Sequence, residues 1–136
     1  MKKVLFDTNI ILDIALKREP FFENSSQLFN LIDQNIISGN ITASTITDIY
    51  YIAKKEIGHN IAIQFIEHIL KIVDVVGIDK KIINKALKSD FKDFEDAIQA
   101  TACELNDIDA IITRNKKDFG KANISIYTPD EFLKLI

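Results

Sequence analysis

The chain has a single cysteine, only two histidines, and no run approaching the roughly 18 uninterrupted apolar residues of a membrane span. Each scarcity closes a class of protein. One thiol, Cys103, can form neither an internal disulfide nor a cysteine metal cluster. It sits among Ala97, Ile98, Ala102 and Leu105 at helical spacing, where a buried, inert side chain is expected. His59 and His68 fall outside every acidic motif and read as ordinary surface or boundary residues. The start, Met1-Lys2-Lys3-Val4, lacks the apolar stretch and small-residue cleavage site of a signal peptide, so a cytoplasmic protein with no membrane association is expected. Neither a G-x-G-x-x-G nor a G-K-[ST] sequence occurs, which removes support for a nucleotide-binding doubly wound domain. Repeats, low-complexity tracts and linkers are missing as well, and 136 residues then read as one domain with a real core. A net charge of -3 argues against a general nucleic-acid coat protein.

What is present is a chain 47% hydrophobic and 27% charged, the balance of a folded protein. Val4-Leu5-Phe6 is too short for a helix and suits a strand buried on both faces, with Asp7 at its carboxyl end. Thr8 or Asn9 can cap a helix carrying Ile10, Ile11, Ile14, Ala15 and Leu16. After the break at Pro20, a second helix is expected to end near Gly39, and Ile41 to Ser44 reads as the second strand. Ser44 or Thr45 would cap the next helix, with Asp48 in its first turn and Gly58 closing it. A helix through Ile61 to Ile72 leads to a third strand at Val73 to Gly77, then a short amphipathic helix from Lys80 to Ser89. The remaining elements are a long helix from about Glu95 to Asn106, strands at Ala110 to Thr113 and Ile124 to Tyr127, and a closing helix from Pro129. Such alternation predicts an α/β fold whose parallel sheet is covered on both faces.

Four acidic features fall at comparable places. Asp7 ends the first strand, Asp48 follows the second, Asp93 and Asp96 open the long helix, and Asp118 follows the Ala110 to Thr113 strand. Spaced three apart, Asp93 and Asp96 can share one side of a helix start, with Glu95 pointing elsewhere. Singly, acids of this kind are ordinary helix caps. Together, carboxylates at one sheet edge repel one another unless a cation joins them, and an all-oxygen set favours Mg²⁺ or Mn²⁺ over zinc. Basic residues are grouped too: Lys80, Lys81, Lys85, Lys88 and Lys92 read as a solvated helix face. Arg114, Lys116, Lys117 and Lys121 adjoin the last acid.

Three stretches, Val4 to Asp13, Asp93 to Ile98 and Ile111 to Phe119, resemble in order and spacing the successive motifs of PIN domains, and the resemblance covers essentially the whole chain. It implies a three-layer α/β/α fold with a central, mostly parallel sheet of about five strands, and metal-dependent RNA cleavage. Asp7, Asp96 and Asp118 match the family's acidic positions, with Asn115 as a neighbouring polar ligand candidate and Asp93 beside them. Asp48 stands where the family usually has Glu, shorter by one methylene, which puts its direct contact with metal in doubt. Thr8, Asn9 and Thr113 match positions that support the carboxylates. Arg114, Lys116 and Lys117 are candidates to hold RNA phosphates. Small stand-alone members are mostly toxins of VapBC-type toxin–antitoxin pairs, so a protein antitoxin and a homodimer are the partners implied. The alternative is a non-catalytic PIN-like module that binds RNA or protein.

Overall fold

A computed structural model describes residues 1–120 and 122–136, so Lys121 of the second basic group lies outside the described residues. Five parallel strands form one sheet in the order β3-β2-β1-β4-β5. They are β1 (Lys2–Phe6), β2 (Ile37–Thr42), β3 (Asp74–Val76), β4 (Ala110–Ile112) and β5 (Ser125–Tyr127). The helices are α1 (Thr8–Ala15), α2 (Phe22–Asp33), α3 (Ala43–Ile57), α4 (His59–Leu70), α5 (Lys80–Leu87), α6 (Phe94–Leu105) and α7 (Pro129–Leu135), with a 3-10 turn at Lys116–Phe119.

Strand alternation divides the core in two. Val4 and Phe6 of β1, with Ala110 and Ile112 of β4, face a cluster completed by Ile10, Ile11 and Leu12 of α1, Leu28 of α2, Ile49 of α3, Ile69 of α4 and Phe132 of α7. Leu5 and Ile111 point the other way, onto Ile82 and Ala86 of α5, Ala97 to Cys103 of α6, and Phe119. The molecule is therefore three layers, with α5, α6 and the turn that carries Phe119 on the second face. Each fully buried Leu, Ile or Phe here contributes about 1.5–3 kcal/mol relative to exposure, which makes β1, buried on both faces, the hub of the fold.

The second strand starts earlier than its sequence indicates. Ile37-Ser38-Gly39-Asn40 looks like a turn, yet all four pair with β1. Gly39 is strand, not a helix terminator: a Cβ there would lie 2.7 Å from both Ile32 Cδ1 and Phe6 Cε2. Only glycine lets those two side chains close over the strand. Asn40 is buried but donates through Nδ2 to the Val4 carbonyl at 3.2 Å. In consequence α3 also begins early, capped by Thr42, whose Oγ1 accepts from Thr45 N at 3.3 Å, in place of Ser44 or Thr45. Asp48 then falls in the second turn, where it cannot serve as a cap.

The chain order reverses between β1 and β4: β2 and β3 extend to one side of β1, β4 and β5 to the other. At such a switch point the helices leave the sheet in opposite directions and open a crevice at the carboxyl ends of the strands. Asp7 and Thr113 are the first residues beyond those two strands.

Candidate active site

The first carboxylate is held by the sheet itself. Asp7 lies one residue past β1, yet its N–H still donates to the Ile112 carbonyl at 3.0 Å, which continues the β1–β4 ladder. Its side chain caps α1, with Oδ1 accepting from Thr8 N at 2.8 Å. Oδ1 also accepts from Gln99 Nε2 at 3.2 Å, and Oδ2 from Thr113 Oγ1 at 2.8 Å. The same Thr113 hydroxyl accepts from Asn115 N at 3.1 Å, so the loop after β4 is shaped around Asp7. Thr8 is buried, and its hydroxyl bonds that of Thr45 at 3.0 Å, tying the start of α1 to α3.

Around Asp7, a crevice of about 360 Å³ is lined by Thr8, Asn9, Asp48, Ile52, Asp93, Glu95, Asp96, Asn115 and Asp118. Six carboxylates from four separate segments therefore face one space. Asp93 is the N-cap of α6, with Oδ1 accepting from Asp96 N at 3.0 Å. Its extended backbone puts the helical spacing at Phe94 onward, so Glu95 does not point away. Glu95 reaches the crevice and meets the Asp48 carboxyl in a side-chain hydrogen bond. Since a carboxylate only accepts, that bond requires a proton on one partner. The Glu95 carboxyl is accordingly pushed up to about 8, by the bond to Asp48 first, then burial, then the charges of Asp48, Asp7 and Asp93. Asp96 is pushed up to about 7 by burial, followed by repulsion from Asp93, Asp7 and Asp118.

Among the described residues, no group of three or more His, Cys, Asp or Glu side chains converges closely enough to hold an ion as placed. The donor set is nevertheless oxygen throughout, with neither His nor Cys on the crevice wall. Six carboxylates on one wall with no basic side chain among them lack a counter-charge, and the residues fit a hard divalent cation such as Mg²⁺ or Mn²⁺.

The basic residues divide. Arg114 turns away from the crevice: its guanidinium lies 4.0 Å from the centroid of the Phe21 ring, with Nε 3.1 Å from Asp13 Oδ2. Lys116 pairs with Glu131 of α7 at 3.1 Å, and the Thr128 backbone and that lysine hold the Glu131 carboxyl below its ordinary range. Lys117 stands with Lys92 in an adjoining hollow of about 420 Å³ that shares Asp93, Asp96 and Asp118 with the crevice. On the opposite flank, Asp48 and Glu95 border a third hollow with the apolar side chains of Ile78, Ile83, Phe94 and Ile98. Tyr50 bonds His59 Nδ1 through its hydroxyl at 2.8 Å, while Tyr51 is exposed; neither tyrosine lines the crevice.

Two residues of the site escape a reading of the sequence. Gln99 lies one turn beyond Asp96 on α6, in a run of residues that otherwise reads as core. Asp13 closes the first motif but is wholly buried in α1, with Arg18 Nη1 3.8 Å from Oδ1 and Arg114 on its other oxygen. Neither oxygen has an aligned hydrogen bond, and burial raises the Asp13 carboxyl despite the two arginines. Arg18 in turn donates to Asn9 Oδ1 at 3.4 Å, so Asp13 is connected to both ends of the crevice wall.

A three-layer α/β/α protein with an acidic crevice at the switch point of a parallel sheet is the class that these features define. Residues 3–117 match the PIN domain family, and the chain belongs to it. It is 27% identical to the ribonuclease VapC1 of Aquifex aeolicus over 136 residues, 96% of this chain and 93% of that one. A toxin–antitoxin complex from Klebsiella pneumoniae contains a chain with 25% identity and a TM-score of 0.70, over 93% of this chain and 97% of that one. DNA-bound VapBC from Salmonella typhimurium shares the fold at 18% identity and a TM-score of 0.73, over 95% and 99% of the two chains.

Proposed function

We propose that this chain is a metal-dependent ribonuclease, the toxin of a VapBC-type pair, acting in the cytoplasm as one PIN domain. The observation that carries the reading is the acidic crevice around Asp7, where six carboxylates face one space and where burial and neighbouring acids raise Asp96 to about 7, and the bond to Asp48, burial and neighbouring acids raise Glu95 to about 8. Likeness to the Aquifex aeolicus ribonuclease VapC1 supports RNA as the substrate, and the toxin–antitoxin complex from Klebsiella pneumoniae supports a protein antitoxin as partner. One sheet reaching from Lys2 to Tyr127 supports a single domain. No helix among the described residues is long and apolar enough to cross a membrane.

In this reading Asp7, Asp96 and Asp118 hold Mg²⁺ or Mn²⁺, with Asn115 and Asp93 beside them. Asp48 acts through its bond to Glu95. Bound divalent ion supplies polarisation of the scissile phosphate, a water of lowered pKa and stabilisation of the leaving oxygen. The chain's own residues do the positioning. Three neutral donors hold Asp7 in one orientation without cancelling its charge. Lys117 and Lys92 flank the crevice where an RNA phosphate would enter, while Arg114, committed to Asp13 and Phe21, shapes the loop that carries Asn115.

A second reading, a non-catalytic module that binds RNA or protein, is favoured by the Glu95–Asp48 bond, which occupies one side of the crevice. The experiment that separates them is cleavage of a mixed panel of structured and single-stranded RNAs by the purified chain in Mg²⁺, Mn²⁺ or EDTA, beside Asp7→Asn and Asp96→Asn. Cleavage that needs metal and is lost in both variants is the expected result. RNA binding without cleavage, unchanged in both variants, would establish the module instead.

A further inference from the structure

Gln99 is wholly buried, and among the described residues its side chain has one partner: Nε2 donates to Asp7 Oδ1 at 3.2 Å, while Oε1 meets no donor. Its place in the buried run of α6 fixes the side chain, and the polar contact it makes from there is with Asp7. Turning the amide over would set two acceptors against each other, and the N–H is therefore the end that faces the carboxylate.

The consequence lies in how the two oxygens of Asp7 are used. A carboxylate oxygen accepts about two hydrogen bonds. Oδ1 has both, from Thr8 N and Gln99 Nε2, whereas Oδ2 has one, from Thr113 Oγ1. Oδ1 is closed and Oδ2 is not. We infer that Gln99 is a positioning residue, which by saturating Oδ1 leaves Oδ2 of Asp7 as the single oxygen presented to a cation. The inference rests on the proposed metal-dependent reading and adds to it a residue outside the acidic motifs. Gln99 also sits three residues after Asp96 on α6, so one helix delivers both a carboxylate of the crevice and the clamp on another. Partners of this kind behind a ligating side chain set metal affinity by roughly 10- to 100-fold.

The test compares Gln99→Met and Gln99→Leu, which keep the bulk and lose the donor, with the unaltered chain. Mn²⁺ affinity is measured by electron paramagnetic resonance titration, and melting temperature in EDTA is recorded separately. Expected is a 10- to 100-fold loss of Mn²⁺ affinity, and a smaller Mn²⁺-induced rise in melting temperature, with melting in EDTA within a few degrees of the parent. A purely structural role would lower the melting temperature in EDTA and leave the affinity alone, which overturns the inference. If the unaltered chain takes up no Mn²⁺, the metal-dependent reading and this inference fall together; if it does and both variants match it, only the inference falls. Should neither variant fold, the side-chain amide signals of Gln99 in the ¹⁵N spectrum of the parent decide. Mg²⁺ must displace them, and an unmoved pair of signals overturns the role.

Discussion

Asp7 caps the helix that carries Asp13, and the two belong to one motif, yet they solve opposite problems. Asp13 is fully buried, has no aligned hydrogen bond, and is faced by the guanidinium groups of Arg18 and Arg114. Asp7 is half-buried, accepts three hydrogen bonds from neutral donors, and is surrounded by other acids. The protein supplies Asp13's counter-charge from its own chain. For Asp7 it supplies orientation and leaves the charge uncompensated. Burial of a carboxylate therefore does not distinguish structure from function here. The origin of the neutralising charge does: internal for the residue that joins segments, external for the one that faces the crevice.

The largest effect should come from breaking the Asp7 side. Asp7→Asn keeps the shape and removes the charge, and RNA cleavage in Mg²⁺ should fall by about 10³, corresponding to roughly 4 kcal/mol of transition-state stabilisation. Single-turnover cleavage measures it, and the melting temperature in EDTA should hold or rise because repulsion in the crevice is relieved. Asp13→Ala should do the reverse. Stability should fall by about 2 kcal/mol in urea unfolding, less than the ~3–5 kcal/mol of a sealed pair because both arginines still reach water.

A pH series sharpens the same contrast. Asp96 and Glu95 have ordinary values of 3.8 and 4.5 and are raised to about 7 and about 8 in the folded chain. Between those limits the folded state binds more protons than the unfolded one, so stability is full below about pH 4 for these groups and is lost as pH rises through 7 to 8. Melting in EDTA should decline across that window, and saturating Mg²⁺ should flatten the decline. A melting temperature that rose from pH 5 to 8 in EDTA would contradict the repulsive crevice. The smallest effect separates the two lysines: Lys117→Ala should reduce the salt slope of single-stranded RNA binding by about 0.7. Lys116→Ala, already committed to Glu131, should change it less.

Much of this was readable in the chain. Apolar runs marked β1 and β4 because a strand buried on both faces needs continuous hydrophobic residues, and Asp7 and Thr113 follow those runs directly. Five parallel strands covered on both faces agree with the expected α/β/α architecture. β2 was obscured because its Ser38, Gly39 and Asn40 are turn residues by composition; the reasons they suit a strand, a close approach by Phe6 and a bond to the Val4 carbonyl, are tertiary. Helical spacing from Asp93 turns Glu95 away from the crevice, but Asp93 is a cap with extended backbone, so the helical spacing begins only at Phe94. Arg114 is basic beside an acidic motif, and nothing local distinguishes it from Lys117. Its partner Asp13 lies about a hundred residues away along the chain.

Cys103 adds a practical consequence. It is buried on α6, and its thiol is pushed up to about 12, by burial first and the neighbouring Glu104 second. At neutral pH only about one molecule in 10⁵ carries the reactive thiolate, so the folded chain should resist alkylating and oxidising reagents. Labelling can then proceed only through openings of the helix that bears Asp96 and Gln99. The lone sulfur is thus a built-in clock for the breathing of that helix, and slower labelling on addition of Mg²⁺ would register how firmly a cation pins it.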